Sequence, residues 1–263
     1  MSDIKLTFVG TGSAFSKVNY QNNLLVENKD DNLLIDCGTL ACTSLHKMGK
    51  PLNEINNIFI THLHADHVGG LEEVGFMNKF VFQKKPKLIS TINLLNNLWD
   101  NTLKGGMNCI QYERTLMEDY FNVTPLVHND NKHATFNSCG LALELVRTDH
   151  IYIEKKFDVP SYGLVMESPV TNKKVLFTGD AKYDYETFQG LFKHVDAILH
   201  DCQLFDQPDA VHAMYSELLQ LPDDIRAKMW LMHYGDNFAD FDPVADGFKG
   251  FVQKHIEYDF EEI

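Results

Sequence analysis

Thr61-His62-Leu63-His64-Ala65-Asp66-His67 sets three imidazoles and one carboxylate within six positions of each other. Imidazole nitrogen and carboxylate oxygen are the ligand types that suit zinc and related divalent ions. The stretch follows 55–60, a short run rich in isoleucine that reads as a strand, so the cluster is expected at a strand end. There, His62 and His64 alternate and point one way, while the turn presents Asp66 and His67 beside them, so that one loop serves two adjacent cations. Surface histidines at a turn are the plainer alternative, and the tight spacing argues against them.

Outward from this point the chain reads as alternating strands and helices. Ile4, Leu6 and Phe8 alternate with polar residues before Gly10-Thr11-Gly12-Ser13, which predicts a half-buried strand and a tight, backbone-exposed loop facing the site. Strands are expected at Asn23–Glu27 and 33–36, joined by the polar turn 28–32 as a meander. A helix is predicted at 40–48, and further strands at 87–90, 141–147, 161–166, 175–178, 197–200 and 229–233, with helices after most of the later ones. The segment 99–135 has no clear period, carries Met107, Tyr112, Tyr120, Phe121, His128 and His133, and reads either as a lid or contact excursion or as an ordinary hairpin insert.

Composition bounds the class. With 44% hydrophobic and 23% charged residues over 263 positions, the chain is expected to form one domain spanning 1–263. The net charge of -14 repels polyanions, and Lys84-Lys85 and Lys155-Lys156 read as solvated surface, so no long nucleic acid is expected as a partner. A small anion stays compatible, because a local metal charge outweighs a distant average. Met1 to Lys5 lacks the basic start and apolar core of a secretory signal, and no apolar run approaches the roughly 18 residues of a membrane helix. A cytoplasmic protein without a membrane partner is the expectation. Five cysteines without paired spacing read as reduced, mostly buried thiols.

The run from Thr61 to Val68-Gly69-Gly70 is similar to the H-x-H-x-D-H signature of the metallo-β-lactamase superfamily. Its later positions are filled in order by Asp149-His150, Phe177-Thr178-Gly179-Asp180 and Leu231-Met232-His233. The resemblance implies an α/β fold, the αββα sandwich of two mixed β-sheets flanked by helices. It also implies two divalent ions, zinc or else manganese. His62, His64 and His150 would hold the first, Asp66, His67 and His233 the second, and Asp180 would bridge them. Asp36, in Leu34-Ile35-Asp36-Cys37-Gly38, resembles the carboxylate that orients a ligand histidine; a plain turn residue is the other reading. Two such cations, offset by Asp66, Asp180 and a hydroxide, leave roughly one positive charge, which suits a phosphodiester monoanion. The same centre could hydrolyse a lactone or thioester.

Phe8-Val9-Gly10-Thr11-Gly12-Ser13-Ala14 is similar to the N-terminal motif of the phosphodiesterase branch, which holds transfer-RNA 3′-processing nucleases and cyclic phosphodiesterases. The nucleases carry an arm between the positions matching His150 and Asp180, and here thirty residues (180 minus 150) leave no room for one. Their His-Ser-Thr and His-Glu-Ala-Thr motifs appear altered, as His212-Ala213-Met214 and His200-Asp201-Cys202-Gln203. In size and motif order the chain resembles the phage anti-Pycsar phosphodiesterases. That resemblance implies opening of 3′,5′-cyclic mononucleotides to nucleoside monophosphates, as a counter-defence in the host cytosol. Under it, His212 oriented by Asp201 protonates the departing ribose oxygen beside Asp66. Ser13 and Tyr112 are candidate substrate contacts, Tyr112 stacking on the base, in a homodimer from the neighbouring copy. The competing classes are a transfer-RNA 3′-processing endoribonuclease, a lactonase or thioesterase, and a metal-stabilised nucleotide-binding protein.

Overall fold

Leu6 and Phe8 lie fully buried on β1 (Lys5–Gly10), and so do Val9 and Gly10 beside them, so this strand is covered on both faces and not half-exposed. It opens an antiparallel meander with β2 (Asn23–Glu27) and β3 (Asn32–Ile35), as the 28–32 turn foretells. The computed structural model describes residues 3–127, 134–153 and 156–263; His128, His133 and Lys155 lie outside the described residues.

The chain continues through β4 (Asn57–Phe59), β5 (Lys87–Thr91), a small hairpin of β6 (Cys109–Ile110) and β7 (Glu113–Arg114), and β8 (Asn122–Leu126). Its second half holds β9 (Thr135–Ser138), β10 (Leu141–Ile153), β11 (Lys156–Glu167), β12 (Lys174–Phe177), β13 (Ala197–Asp201), β14 (Met229–Met232), β15 (Gly250–Phe251) and β16 (Glu257–Asp259). Among the described residues two seven-stranded sheets result, ordered β16-β1-β2-β3-β4-β5-β8 and β15-β14-β13-β12-β11-β10-β9. Each is mixed, antiparallel on one side and parallel on the other. Their buried side chains join in one hydrophobic cluster with those of the helices, among them Ala41–Lys47, Leu71–Phe76, Ile92–Leu98 and Tyr185–His194. The last of these starts where the Asp184 carboxylate accepts from the Thr187 amide, and it buries Phe188 and Phe192 one turn apart. Among the described residues no helix is long and apolar enough to cross a membrane.

Parallel strands leave their carboxyl ends open to loops, and ligand sites of α/β sheets form there. Asp36 follows β3, the histidine cluster follows β4, Asp180 follows β12, Asp201 ends β13 and His233 follows β14. Each half of the fold therefore delivers part of one cluster.

Other sequence expectations need correction. The strand expected at 55–60 is only Asn57–Phe59, and Asp66 and His67 sit in a one-turn helix, Ala65–Val68, instead of an open turn. The strand expected at 141–147 runs on to Ile153 and takes in His150. That histidine lies inside β10, at an irregularity where the β10–β11 register shifts between Thr148 and Ile151; such a bulge re-aims a side chain without ending the strand. The segment 99–135, expected as an excursion or a hairpin insert, is largely solvent-facing among its described residues but anchors several side chains in the core. Trp99–Leu103 continues the Ile92–Leu98 helix with wider π-type turns, which erases the 3.6-residue period, and Trp99, Leu103, Met107, Tyr120 and Phe121 are buried. β8 pairs with β5 as a sheet edge, and the β6–β7 hairpin stays exposed.

Candidate metal centre

The site grows from a chain of hydrogen bonds beneath it. The fully buried Asp36 carboxylate accepts from the Thr61 amide (2.9 Å) and hydroxyl (2.7 Å), and its Oδ2 lies 2.7 Å from His67 Nδ1. With its proton committed to Asp36, the Thr61 hydroxyl is left to accept from His62 Nδ1 at 3.0 Å. On the opposite wall, His150 Nδ1 donates to the Val211 carbonyl at 2.7 Å, and His233 Nδ1 lies 3.3 Å from Asp201 Oδ1. Four imidazoles thus have Nδ1 engaged by the protein, which turns Nε2 of each toward a common space.

Two groups of ligand atoms converge there, His62, His64, His150 and Asp180 in one and Asp66, His67, Asp180 and His233 in the other, each within 4.8 Å. His64 Nδ1 is 3.0 Å from His62 Nε2 and 3.2 Å from His150 Nε2. Ligand nitrogens held tetrahedrally by one zinc stand roughly 3.4 Å apart, so the spacing fits a shared cation. In the second group, Asp180 Oδ2 stands 3.2 Å from His67 Nε2 and 3.4 Å from His233 Nε2, and Asp66 Oδ2 is 3.1 Å from His67 Nε2 and 3.4 Å from His233 Nε2.

Two further observations favour a cation. Both Asp180 oxygens and His67 Nε2 are buried without a hydrogen-bond partner, despite lying this close together. Buried polar atoms are almost always paired, and orphans that face one another mark the place of a missing group. The electrostatics agree. Burial pushes His62 and His64 below the usual imidazole range and His150 down to about 4, leaving neutral nitrogens with free lone pairs. Burial opposes charge on His67 and His233 as well, but Asp180 with Asp66 raises the first, and Asp180 with Asp201 the second, well above that range. Against their own burial, Asp66 and Asp180 are held far below the carboxylate range by those two histidines. These protons occupy positions that a divalent ion would take over, with their release.

His212 stands beside the pair. Its Nδ1 lies 2.7 Å from Asp201 Oδ2 and 3.9 Å from Asp180 Oδ2, and its ring stacks on His233 at 4.6 Å. Burial opposes charge on Asp201, yet His212 and His233 bring its carboxyl down to about 2. A cavity of about 290 Å³ opens over His212 and His233 and includes Ser13 in its wall. The Ser13 amide donates to the Tyr234 carbonyl at 3.0 Å, which brings the Gly10-Thr11-Gly12 loop alongside His233.

The structure thus brings ten residues singled out in the sequence, the seven ligand candidates with Ser13, Asp201 and His212, into one place. Tyr112 is not with them: it tips the β6–β7 turn, 95% exposed, and does not line the cavity. Residues the sequence did not flag are Thr61 and Val211, which fix His62 and His150, and the second contact of Asp201, to His233. A backbone carbonyl such as Val211 carries no residue-type signal at all. Asp36 and His233 both adopt left-handed backbone angles, φ 64° and 61°. For non-glycine residues that conformation costs about 1–3 kcal/mol and persists where surroundings impose it, as at functional sites.

Comparison with known proteins agrees with this picture. The family model described as Anti-Pycsar protein Apyc1 matches residues 4–258. An Anti-Pycsar protein Apyc1 of Paenibacillus xerothermodurans is 38% identical over 265 residues, covering 98% of each chain. One from Bacillus phage vB_BsuM-Goe3 is 39% identical over 244 residues, covering 90% of this chain and 91% of its own. The metallo-β-lactamase fold protein YhfI from Bacillus subtilis superposes with a TM-score of 0.69 over 97% of this chain and 98% of its own, at 14% identity, a likeness of fold alone. The chain belongs to the Anti-Pycsar protein Apyc1 family, built on the metallo-β-lactamase fold.

Proposed function

We propose that this protein is a metal-dependent phosphodiesterase that opens 3′,5′-cyclic mononucleotides to nucleoside monophosphates, and so acts against cyclic nucleotide defence signalling. The observation that carries the reading is the sharing of Asp180 by two convergent ligand groups, with the His212–Asp201 pair 3.9 Å from Asp180 under an open cavity.

The residues fit a pair of divalent ions. His62, His64 and His150 would hold one, Asp66, His67 and His233 the other, and Asp180 both. When bound, such ions supply Lewis acidity and lower the pKa of water into the neutral range. By accepting from His212 Nδ1, the Asp201 carboxylate would stabilise the imidazolium, whose Nε2 proton would pass to the ribose oxygen that leaves as water adds to phosphorus, leaving a neutral ring. Asp36 and Thr61 keep His67 and His62 from turning. Ser13 would contact the substrate from the cavity wall.

Among the described residues the buried side chains of both sheets join one hydrophobic cluster, which supports one domain over 1–263. The phage source of relatives such as that of Bacillus phage vB_BsuM-Goe3 supports a role in the host cytosol. Zinc or manganese as the metal belongs to the same reading. So does a homodimer in which the exposed Tyr112 reaches a second copy's site.

A panel of 3′,5′-cyclic mononucleotides, a precursor transfer RNA and a lactone, each with and without chelator, tests the proposal. Chelator-sensitive opening of the cyclic compounds alone is expected. Cleavage of the RNA or the lactone without it would assign the protein to a competing class.

A further inference from the structure

Among the described residues, four aromatic side chains stand largely exposed, Phe15, Phe80, Tyr112 and Phe205, and two of them border one cavity. Phe15 is 86% and Phe205 60% exposed, and both line the 290 Å³ space whose wall includes His212 and His233. A single exposed apolar side chain is ordinary, but two exposed phenylalanines on the wall of one cavity make the kind of apolar patch that marks a ligand groove.

Both rings sit on loops that are pinned. The Phe15 loop is held from beneath by Asp236, whose carboxylate accepts from the Ser16 hydroxyl and from the Lys17 (2.7 Å) and Val18 (3.3 Å) amides, while the Asn19 amide donates to Ser16 Oγ at 3.1 Å. The Phe205 loop is tied at its root, where Gln203 and Ala213 pair through the backbone and Gln203 Nε2 donates to the Phe205 carbonyl at 2.8 Å. Fixed backbone under an exposed ring is the arrangement of a preformed contact surface, because little entropy remains to be lost on binding.

The chemistry of the lining narrows the occupant. It contains Ser13, Gln203, Gln207 and apolar side chains besides the two histidines, and no Lys, Arg, Asp or Glu. Apart from those two histidines at its floor, that wall has no charge to offer a phosphate, which belongs with the candidate metal-ligand cluster below, and it suits a neutral, flat ring. At about 290 Å³ the space is at the small end of ligand sites, which run from roughly 300 Å³ upward, a size for a single base.

We propose that Phe15 and Phe205 grip the nucleobase of the substrate by its faces, placing the cyclic phosphate over the metal-ligand cluster. The inference rests on the cyclic nucleotide reading and assigns its base-binding residues.

The test is kinetic and spectroscopic. In Phe15→Ala and Phe205→Ala, KM for a cyclic nucleotide rises roughly tenfold, the size of a lost base stack, while kcat changes much less. Phe15→Trp and Phe205→Trp recover most of the loss. Both side chains are exposed, so the variants keep their thermal midpoint. Separately, a nucleoside 5′-monophosphate carrying 2-aminopurine is quenched on binding wild-type protein and stays bright with the double alanine variant. If cyclic nucleotides are hydrolysed but KM and quenching survive both alanine substitutions, the grip is overturned and the proposed activity stands. If wild-type protein quenches the probe through these rings yet hydrolyses no cyclic nucleotide, the grip stands and the activity falls.

Discussion

Asp201 Oδ2 lies 2.7 Å from His212 Nδ1, and the other oxygen of the same carboxylate lies 3.3 Å from His233 Nδ1. One side chain thereby sets the orientation of a candidate acid and of a candidate metal ligand. In Asp201→Asn the amide nitrogen cannot accept a ring proton, so one imidazole loses its anchor. A fall in kcat of about 10- to 100-fold is expected, with metal content reduced less than in His233→Ala. Turnover and metal stoichiometry measured on the same preparations check this.

His212 should matter in proportion to how poor the leaving group is. His212→Ala is expected to lower kcat on a cyclic nucleotide by about 10²- to 10⁴-fold and to retain its metal. A p-nitrophenyl phosphodiester, whose leaving group needs no proton, should lose far less. Equal losses on both substrates would exclude a proton-donating role.

The crowded, unpartnered oxygens of Asp180 predict that a bound cation stabilises the folded state. Ligand binding at about a hundred times Kd adds about 2.7 kcal/mol of stability. In a chain of this size that corresponds to a thermal midpoint roughly 5–10 °C higher. Scanning calorimetry with zinc or manganese against chelator reads the shift, and an unchanged midpoint would argue that these side chains hold no ion.

The candidate metal-ligand residues are legible in the sequence because chemistry fixes both their type and their order: His62 to His67 cluster within six positions, and Asp180 and His233 follow short apolar runs. The strands of the parallel halves are legible too, as continuous apolar runs such as Ile198-Leu199 and Leu231-Met232, which are buried on both faces. What could not be read is what depends on tertiary contact. The bulge that aims His150 is a matter of register between β10 and β11, and the 99–107 helix hides its period in wide turns. Phe15 and Phe205 look like any core phenylalanine in a linear string, and only their exposure sets them apart.

Gly38 is required by the site itself. A Cβ there would overlap the backbone carbonyl of Asp66, directly beneath the candidate ligand helix. Gly38→Ala should cost about 1–3 kcal/mol and displace Asp66, lowering metal content below that of an exposed control such as Gly105→Ala, whose Cβ meets nothing within 4 Å. Denaturant unfolding and metal analysis together report both effects.

Thiol chemistry offers an independent check of burial. Cys109 is exposed, whereas Cys37, Cys42, Cys139 and Cys202 are buried. Burial pushes Cys139 up to about 12 and Cys202 well above the ordinary thiol range, and a hydrogen bond with Cys42, together with burial, does the same for Cys37. One fast-reacting thiol per folded chain is expected at neutral pH, absent in Cys109→Ser, and five after denaturation.

Because the ligand loops issue from both sheets, with His62 to His67 from one and Asp180 and His233 from the other, neither half of the polypeptide owns a complete coordination set. A bound cation would work as a clasp across the seam. Damage to either sheet, however far from the centre, would then register first as leakage of metal, before the chain as a whole gives way.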